Sequence, residues 1–222
     1  MDSPEVVRKI QEVGIVPVVR ASSPEEACRV VEAILAGGIQ IIEITMTVPN
    51  ATDVIREVVR CHHGAVITGA GTVLSAAEAA RCVDAGAEFL VSPGLSAAVV
   101  RLARSRGKLA IPGVLTPSEI MEASELGLNL LKIFPCSSAG GPSHIRSLKA
   151  PFPEMEFIPT GGVSLSNAEE YLRAGAFALG VGSDLVNVNS KKIVDTAKAL
   201  TALVAKVRRE REPVDKGNRQ NH

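Results

Sequence analysis

Four times along the chain a helix-like stretch ends in a glycine that leads straight into a short apolar run: LAGGIQ at 35–40, DAGAEF at 84–89, ELGLNL at 125–130 and RAGAFA at 173–178. Glycine tolerates the left-handed backbone that follows a helix end, so each phrase reads as one helix-to-strand turn repeated. The apolar runs lie at 15–20, 39–45, 64–71, 88–92, 108–113, 128–135, 155–160 and 177–182. Each is followed by an amphipathic stretch, at 22–38, 50–62, 75–87, 95–107, 116–127, 141–149, 164–176 and 190–210, and a short helix at 3–13 precedes them all. Strands that alternate with helices pair in parallel. Eight such units with no linker between them predict an α/β fold of the (β/α)8 TIM-barrel type with a short N-terminal helix. On this reading residues 1–212 are one domain and 213–222 a polar tail. An open doubly wound sheet is the competing arrangement. It would place a glycine-rich dinucleotide turn after the first strand, where this chain has VVRASSPEE.

The helix at 22–38 carries its own start and stop. Ser23 suits an N-cap, Pro24 the first helical position and Glu26 the acid of a capping box, and Gly37 and Gly38 end it. The core has to be aliphatic, because the 222 residues include no Trp and one Tyr while 46% are hydrophobic. Branched aliphatics suit strands covered on both faces. The formal net charge is zero, which gives no cationic field for nucleic acid. The densest charge run, KVRREREP at 206–213, reads as the solvated end of the last helix.

No apolar stretch approaches a membrane span, and the opening residues lack the apolar run of a signal peptide. The four cysteines, Cys28, Cys61, Cys82 and Cys136, form no C-x-x-C pair, which fits a reducing, cytoplasmic setting. Cys61, His62 and His63 are consecutive and cannot all face one point, while His144 and His222 stand apart, so no metal site is expected from them.

In a barrel of this kind the chemistry sits at the C-terminal ends of the strands. The polar residues there are Arg20, Glu43, Thr45, Thr72, Ser92, Lys132, Thr160 and Ser183. Lys132 interrupts LLKIFP, an otherwise apolar run. A lysine between two buried faces is costly unless it is paired or uncharged, and a desolvated amine forms imines with ketones. A structural ion pair, or a side chain that snorkels past the strand end, is the plainer reading. Glu43 interrupts QIIEIT in the same way, and the period of two puts Ile41, Glu43 and Thr45 on one face. If that face is interior, Glu43 looks towards Lys132, either as a salt bridge or as a proton shuttle beside an imine.

Two further groups suit anions. PTGGVS at 159–164 and GVGSDLV at 180–186 end the last two strands, where such barrels often hold a phosphate on bare N–H groups. Gly161, Gly162, Gly182 and Ser183 are the candidates, with ordinary tight turns as the alternative. Arg20 suits a carboxylate as a bidentate donor, with a plain surface charge after a strand as the equal alternative, and Thr72 can share that anion. The turns SPG at 92–94 and IPG at 111–113 shape the rim.

Taken together, VPVVRA (16–21), GGIQIIEIT (37–45), GAGTVL (69–74), FLVSPG (89–94), IPGVLTPSE (111–119), LKIFP (131–135), IPTGGVSLSNAEEYLRAG (158–175) and GVGSDLV (180–186) resemble the bacterial 2-dehydro-3-deoxy-phosphogluconate aldolase family, often bifunctional as 4-hydroxy-2-oxoglutarate aldolases. The resemblance implies a class I reaction without metal or other cofactor, on a phosphorylated 2-oxo acid that yields pyruvate. It also implies a homotrimer. By that likeness Lys132 is the Schiff-base lysine and Glu43 the general acid/base. Thr72 lies near the substrate carboxylate, with Arg20 beside it. Gly161, Gly162 and Ser183 hold the phosphate, and Thr45, Pro93, Gly94, Phe134 and Thr160 line the pocket. One departure stands out: some members carry an arginine in a motif like E-V-T-L-R, where this chain has EITMT, with Thr47 in that place. Arg20 is then the residue expected to substitute.

Within this reading the galactonate-derived epimer is the nearest alternative substrate. Further off are a barrel sugar-phosphate isomerase and a non-catalytic phospho-ligand binding protein, neither of which gives Lys132 a covalent role.

Overall fold

The structure is a computed structural model, and it describes residues 3–62, 64–186 and 188–211. The expected tail at 213–222, His63 and His222 lie outside the described residues. Helix α1 (Ser3–Val13) leads. Then β1 (Ile15–Val19), α2 (Pro24–Ala36), β2 (Ile41–Thr45), α3 (Ala51–His62), β3 (Ile67–Gly71), α4 (Ala76–Asp84), β4 (Phe89–Val91) and α5 (Ala97–Ser105) alternate. They are followed by β5 (Leu109–Ile111), β6 (Gly113–Val114), α6 (Pro117–Glu125), β7 (Leu130–Ile133), a 3-10 turn (Ser137–Ala139) and α7 (Pro142–Lys149). The last described elements are β8 (Glu156–Pro159), α8 (Ala168–Arg173), β9 (Leu179–Val181), α9 (Ser183–Val186) and α10 (Ser190–Arg211).

Among the described residues all the strand pairs are parallel, in a six-stranded sheet of order β5-β4-β3-β2-β1-β9 and a three-stranded sheet of order β6-β7-β8. The fifth apolar run is thus two strands, broken at Pro112, which has no N–H to give a ladder. Its carbonyl still accepts from the Lys132 N–H at 2.9 Å. At the other end of the three-stranded sheet a lone parallel bridge pairs Thr160 with Gly180, and the Phe177 N–H donates to the Phe157 carbonyl at 2.9 Å.

The period of two divides the apolar side chains into two clusters. Ile15, Val19, Ile42, Ile44, Ala70, Leu90, Leu131, Ile133, Phe157 and Leu179 pack outwards, in one cluster with helix residues such as Val31, Ile55, Val100 and Leu200. Val16, Ile41, Ile67, Phe89, Val91, Ile111, Leu130, Ile158 and Ala178 form a second cluster on the opposite faces of the strands, which Val6 and Ile10 of α1 join. Each fully buried aliphatic contributes roughly 1.5–3 kcal/mol, so α1 is held by its own apolar stripe.

The Ser23 hydroxyl accepts from the Glu26 N–H at 3.2 Å, as an N-cap should. Glu26 itself turns to the Ser22 N–H and hydroxyl rather than to the capping residue. The full reciprocal box is found instead at α6, between Thr116 and Glu119. Helix α8 is shorter than its periodicity suggests. Asn167 accepts from the Ser164 N–H at 2.9 Å and donates to the Gly162 carbonyl at 2.8 Å, holding residues 162–167 in a turn.

Candidate active site

Chain direction and strand period locate the site. Glu43 lies two residues beyond Ile41, and Lys132 two beyond Leu130, so both point inwards one layer above the second apolar cluster, towards the C-terminal ends of the strands. Glu43 is 3% exposed and Lys132 4%, and their charged ends stand 3.8 Å apart, Nζ to Oε1. That spacing is an ion pair but too long for a direct hydrogen bond. Among the described residues Oε1 of Glu43 has no hydrogen-bond partner. Burial pushes the Glu43 carboxyl above the usual carboxylate range, and the cations of Lys132 and then Arg20 pull it back less strongly. The Lys132 ammonium also lies 5.1 Å from the centre of the Phe134 ring, two residues on along the same face.

Space for this pair comes from β3. The Glu43 carboxylate occupies the position in which a Cβ on Gly71 would stand, and Gly71 is the register partner of Thr45. Thr72 follows with φ +57°, a left-handed conformation that a β-branched residue rarely holds. Backbone strain of this kind costs about 1–3 kcal/mol and persists where surrounding bonds over-determine it. Here the Val73 N–H donates to the Val91 carbonyl and the Met46 N–H to the Gly71 carbonyl, fixing the loop on either side.

Arg20, Thr45 and Thr72 come from the ends of β1, β2 and β3, which are neighbours in one sheet. Arg20 is exposed, and its Nη1 lies 3.4 Å from the Thr47 hydroxyl. Thr45 is fully buried. Its hydroxyl donates to the Val19 carbonyl at 3.0 Å and contacts the Thr47 hydroxyl at 2.7 Å. Across the mouth, the Thr160–Gly180 bridge brings the turn after β8 beside the turn after β9. Gly161 and Gly162 both have positive φ, +89° and +77°.

Ser137, which the sequence reading passed over, packs onto this turn. Its N–H donates to the Gly161 carbonyl at 3.1 Å, and its side chain fills the space a Cβ on Gly162 would need. Its position in CSSAGG, directly after the lysine strand, was the available signal. Ser183 is exposed and opens α9, lining a cavity of about 440 Å³ that Leu165, Ser166, Asp184 and Lys192 also line. Pro93 and Gly94 form the rim after β4, where the Pro93 carbonyl presses on Gly113. Thr160 and Ser92 are buried, and the Thr160 hydroxyl donates to the Ile158 carbonyl at 3.3 Å.

A larger cleft, about 690 Å³, lies between α1, α10 and the N-terminal ends of β2 and β3, with Lys9, Glu12, Gln40 and Arg208 at its edge. It is at the opposite end of the strands from Lys132 and Glu43, and neither of them lines it. Among the described residues no three His, Cys, Asp or Glu side chains converge as metal ligands, and no helix is long and apolar enough to cross a membrane.

A parallel α/β scaffold that buries a lysine–carboxylate pair at the C-terminal ends of its strands, beside glycine-rich turns, has the architecture of an enzyme equipped for amine chemistry on a small anionic substrate. The comparisons agree with that class. The family model for KDPG and KHG aldolase matches residues 6–202, and the chain belongs to that family. It is by that membership a carbon–carbon lyase.

The chain is 34% identical over 181 residues to the KHG/KDPG aldolase of Escherichia coli K12, covering 82% of this chain and 84% of that one. To the probable 2-dehydro-3-deoxy-6-phosphogalactonate aldolase of Rhizobium meliloti it is 38% identical over 172 residues, 77% of this chain and 81% of the other. Among solved structures, the KDPG aldolase of Legionella pneumophila superposes with a TM-score of 0.78 at 31% identity, covering 90% of this chain and 97% of that one. In that crystal structure pyruvate is captured as a covalent carbinolamine.

Proposed function

We propose that the chain is a class I aldolase in which Lys132 is the Schiff-base nucleophile, cleaving 2-dehydro-3-deoxy-6-phosphogluconate to pyruvate and glyceraldehyde 3-phosphate. The observation that carries this reading is the buried Lys132–Glu43 pair, 3.8 Å apart one layer above the apolar interior.

Lys132 passes its proton to Glu43, and the resulting amine adds to the C2 carbonyl to give a carbinolamine; Glu43 returns the proton to the departing hydroxyl, and loss of water gives an iminium that acts as the electron sink. Glu43, directly or through a water, takes the proton from the C4 hydroxyl. Its raised pKa makes it a stronger base than an ordinary carboxylate. The C4–O–H electrons become the aldehyde carbonyl as the C3–C4 bond breaks, and that bond's pair moves into the iminium to give an enamine. Protonation of C3 and hydrolysis of the imine release pyruvate and restore Lys132. Arg20 and Thr72 hold the carboxylate, and Gly161, Gly162 and Ser183 hold the phosphate. Thr45, Pro93, Gly94, Phe134 and Thr160 line the pocket between them. 4-Hydroxy-2-oxoglutarate, cleaved to pyruvate and glyoxylate, needs the same lysine and no phosphate site.

On this reading residues 1–212 form one (β/α)8 barrel, with β5 and β6 as a single interrupted strand and the Thr160–Gly180 bridge closing the ring. The enzyme is read as a cytoplasmic homotrimer, in keeping with the family resemblance. The Rhizobium relative supports a second substrate, the 6-phosphogalactonate epimer.

The test is to incubate the protein with pyruvate, reduce with borohydride and locate the adduct by peptide mass. A pyruvyl adduct on Lys132 is expected. Folded protein with no adduct there sinks the Schiff-base reading and favours a non-covalent isomerase or a binding protein.

A further inference from the structure

We infer that Thr47 is a positioning residue: through a one-way chain of hydrogen bonds from Val19 it fixes the direction in which Arg20 presents its guanidinium. The inference rests on the reading of Arg20 as the holder of the substrate carboxylate.

The chain has a polarity that chemistry dictates. The Val19 carbonyl can only accept, so the Thr45 hydroxyl gives its proton there, at 3.0 Å. With that proton engaged, the Thr45 oxygen can only accept from Thr47, 2.7 Å away. Thr47 therefore donates to Thr45 and turns a lone pair outwards. Arg20, which has donors and no acceptor, is the partner that lone pair fits, and its Nη1 lies 3.4 Å off. No hydroxyl in the chain can reverse without breaking the bond before it.

Anchoring also grades along the chain. Thr45 is fully buried and on a strand, while Arg20 is exposed at the end of β1. Both threonines are β-branched and stiff at χ1, so the fixed end of the relay is rigid. A free arginine at a rim samples many rotamers and loses that freedom on binding. A contact from Thr47 to one guanidinium nitrogen restricts it beforehand and leaves the remaining N–H donors for a carboxylate. Arg20 lies near enough to Glu43 for its charge to offset part of the burial that raises the carboxyl pKa.

The experiment compares Thr47→Val, Thr47→Ala and Thr47→Ser, each in the wild-type and in the Arg20→Gln background. It reads KM and kcat for the phosphorylated 2-oxo acid and the pyruvate concentration that gives half-maximal borohydride trapping. Losing a charge-assisted bond predicts that Thr47→Val raises KM and half-saturation about tenfold with kcat within about twofold. Thr47→Ser should recover most of the loss, and Thr47→Val should add nothing in the Arg20→Gln background. Thr47→Ala removes the same hydroxyl and gives the same contrast if the valine variant fails to fold. If Arg20→Gln leaves half-saturation unchanged, the carboxylate reading falls and takes the relay with it. If Arg20→Gln is costly but the Thr47 variants are silent, or are equally costly without Arg20, only the relay is overturned.

Discussion

Glu43 and Gly71 share one space: the carboxylate lies where any side chain at position 71 would begin. Gly71 is therefore what lets Glu43 lie in its present position beside Lys132. Gly71→Ala should leave the sheet paired, since the backbone there is an ordinary strand, but must drive the carboxylate aside. We expect kcat to fall at least about tenfold, the scale of displacing a general base. Steady-state kinetics beside a circular-dichroism melt check this, and an unchanged kcat would mean that the carboxylate's present position is not needed.

The raised Glu43 pKa has consequences for both rate and stability. As the proposed base in C–C cleavage, Glu43 must be ionised, so kcat should rise with pH through a value above the ordinary 4.5. Glu43→Gln should lower kcat by roughly 10²–10⁴ and abolish that limb of the profile, while pyruvate can still be trapped on Lys132. For stability the folded chain holds the proton more tightly than the unfolded one. Its contribution is therefore fully present below the unfolded value and is lost as pH rises through the folded one. Denaturant midpoints measured from pH 4.5 upwards should decline more in wild type than in Glu43→Gln. Parallel curves would contradict the raised pKa.

Removing one member of the buried pair leaves the other unbalanced. Lys132→Met should abolish trapping and cost up to about 3–5 kcal/mol, less if Glu43 then takes up a proton. Lys132→Met combined with Glu43→Gln should regain most of that loss, because replacing a whole buried pair is often neutral. Urea unfolding of the two single variants and the double variant gives the coupling directly. Strict additivity would mean that the two groups do not sense each other at 3.8 Å.

Thr72 separates backbone strain from side-chain function. At φ +57° glycine is the comfortable residue, so Thr72→Gly should raise the melting temperature by ~2–4 °C if about 1 kcal/mol of strain is released. The same change removes the hydroxyl and should weaken half-saturation by pyruvate. Thr72→Ala keeps the strained backbone, so it should weaken pyruvate binding without the gain in stability. A glycine variant that binds pyruvate as well as wild type would remove Thr72 from the carboxylate site.

Much of this was legible in the sequence, for physical reasons that differ by residue. Glu43 and Lys132 stood out because a charge inside an apolar strand is expensive, and the period of two then gave their direction. The glycines at 38, 86, 127 and 175 marked helix ends because each holds positive φ. The break at Pro112 was hidden, since IPG reads equally as a strand end and as a turn. The shortened α8 was hidden by Asn167, whose side-chain bonds compete with the helix in a way that periodicity cannot register. The short α9, the fit of Ser137 to Gly162 and the Thr45–Thr47–Arg20 chain all depend on local geometry and rotamers, which no spacing rule encodes.

The Pro112 break has one more implication. Glu43 belongs to the six-stranded sheet and Lys132 to the three-stranded one, so the two charged groups face each other from different sheets rather than along one ladder. Among the described residues the two sheets are joined on one side by the chain itself at Pro112, whose carbonyl also accepts from the Lys132 N–H, and on the other by the Thr160–Gly180 bridge and the Phe177–Phe157 bond. The lysine–carboxylate gap is therefore set by how the two sheets are joined, and not by the pairing within either one.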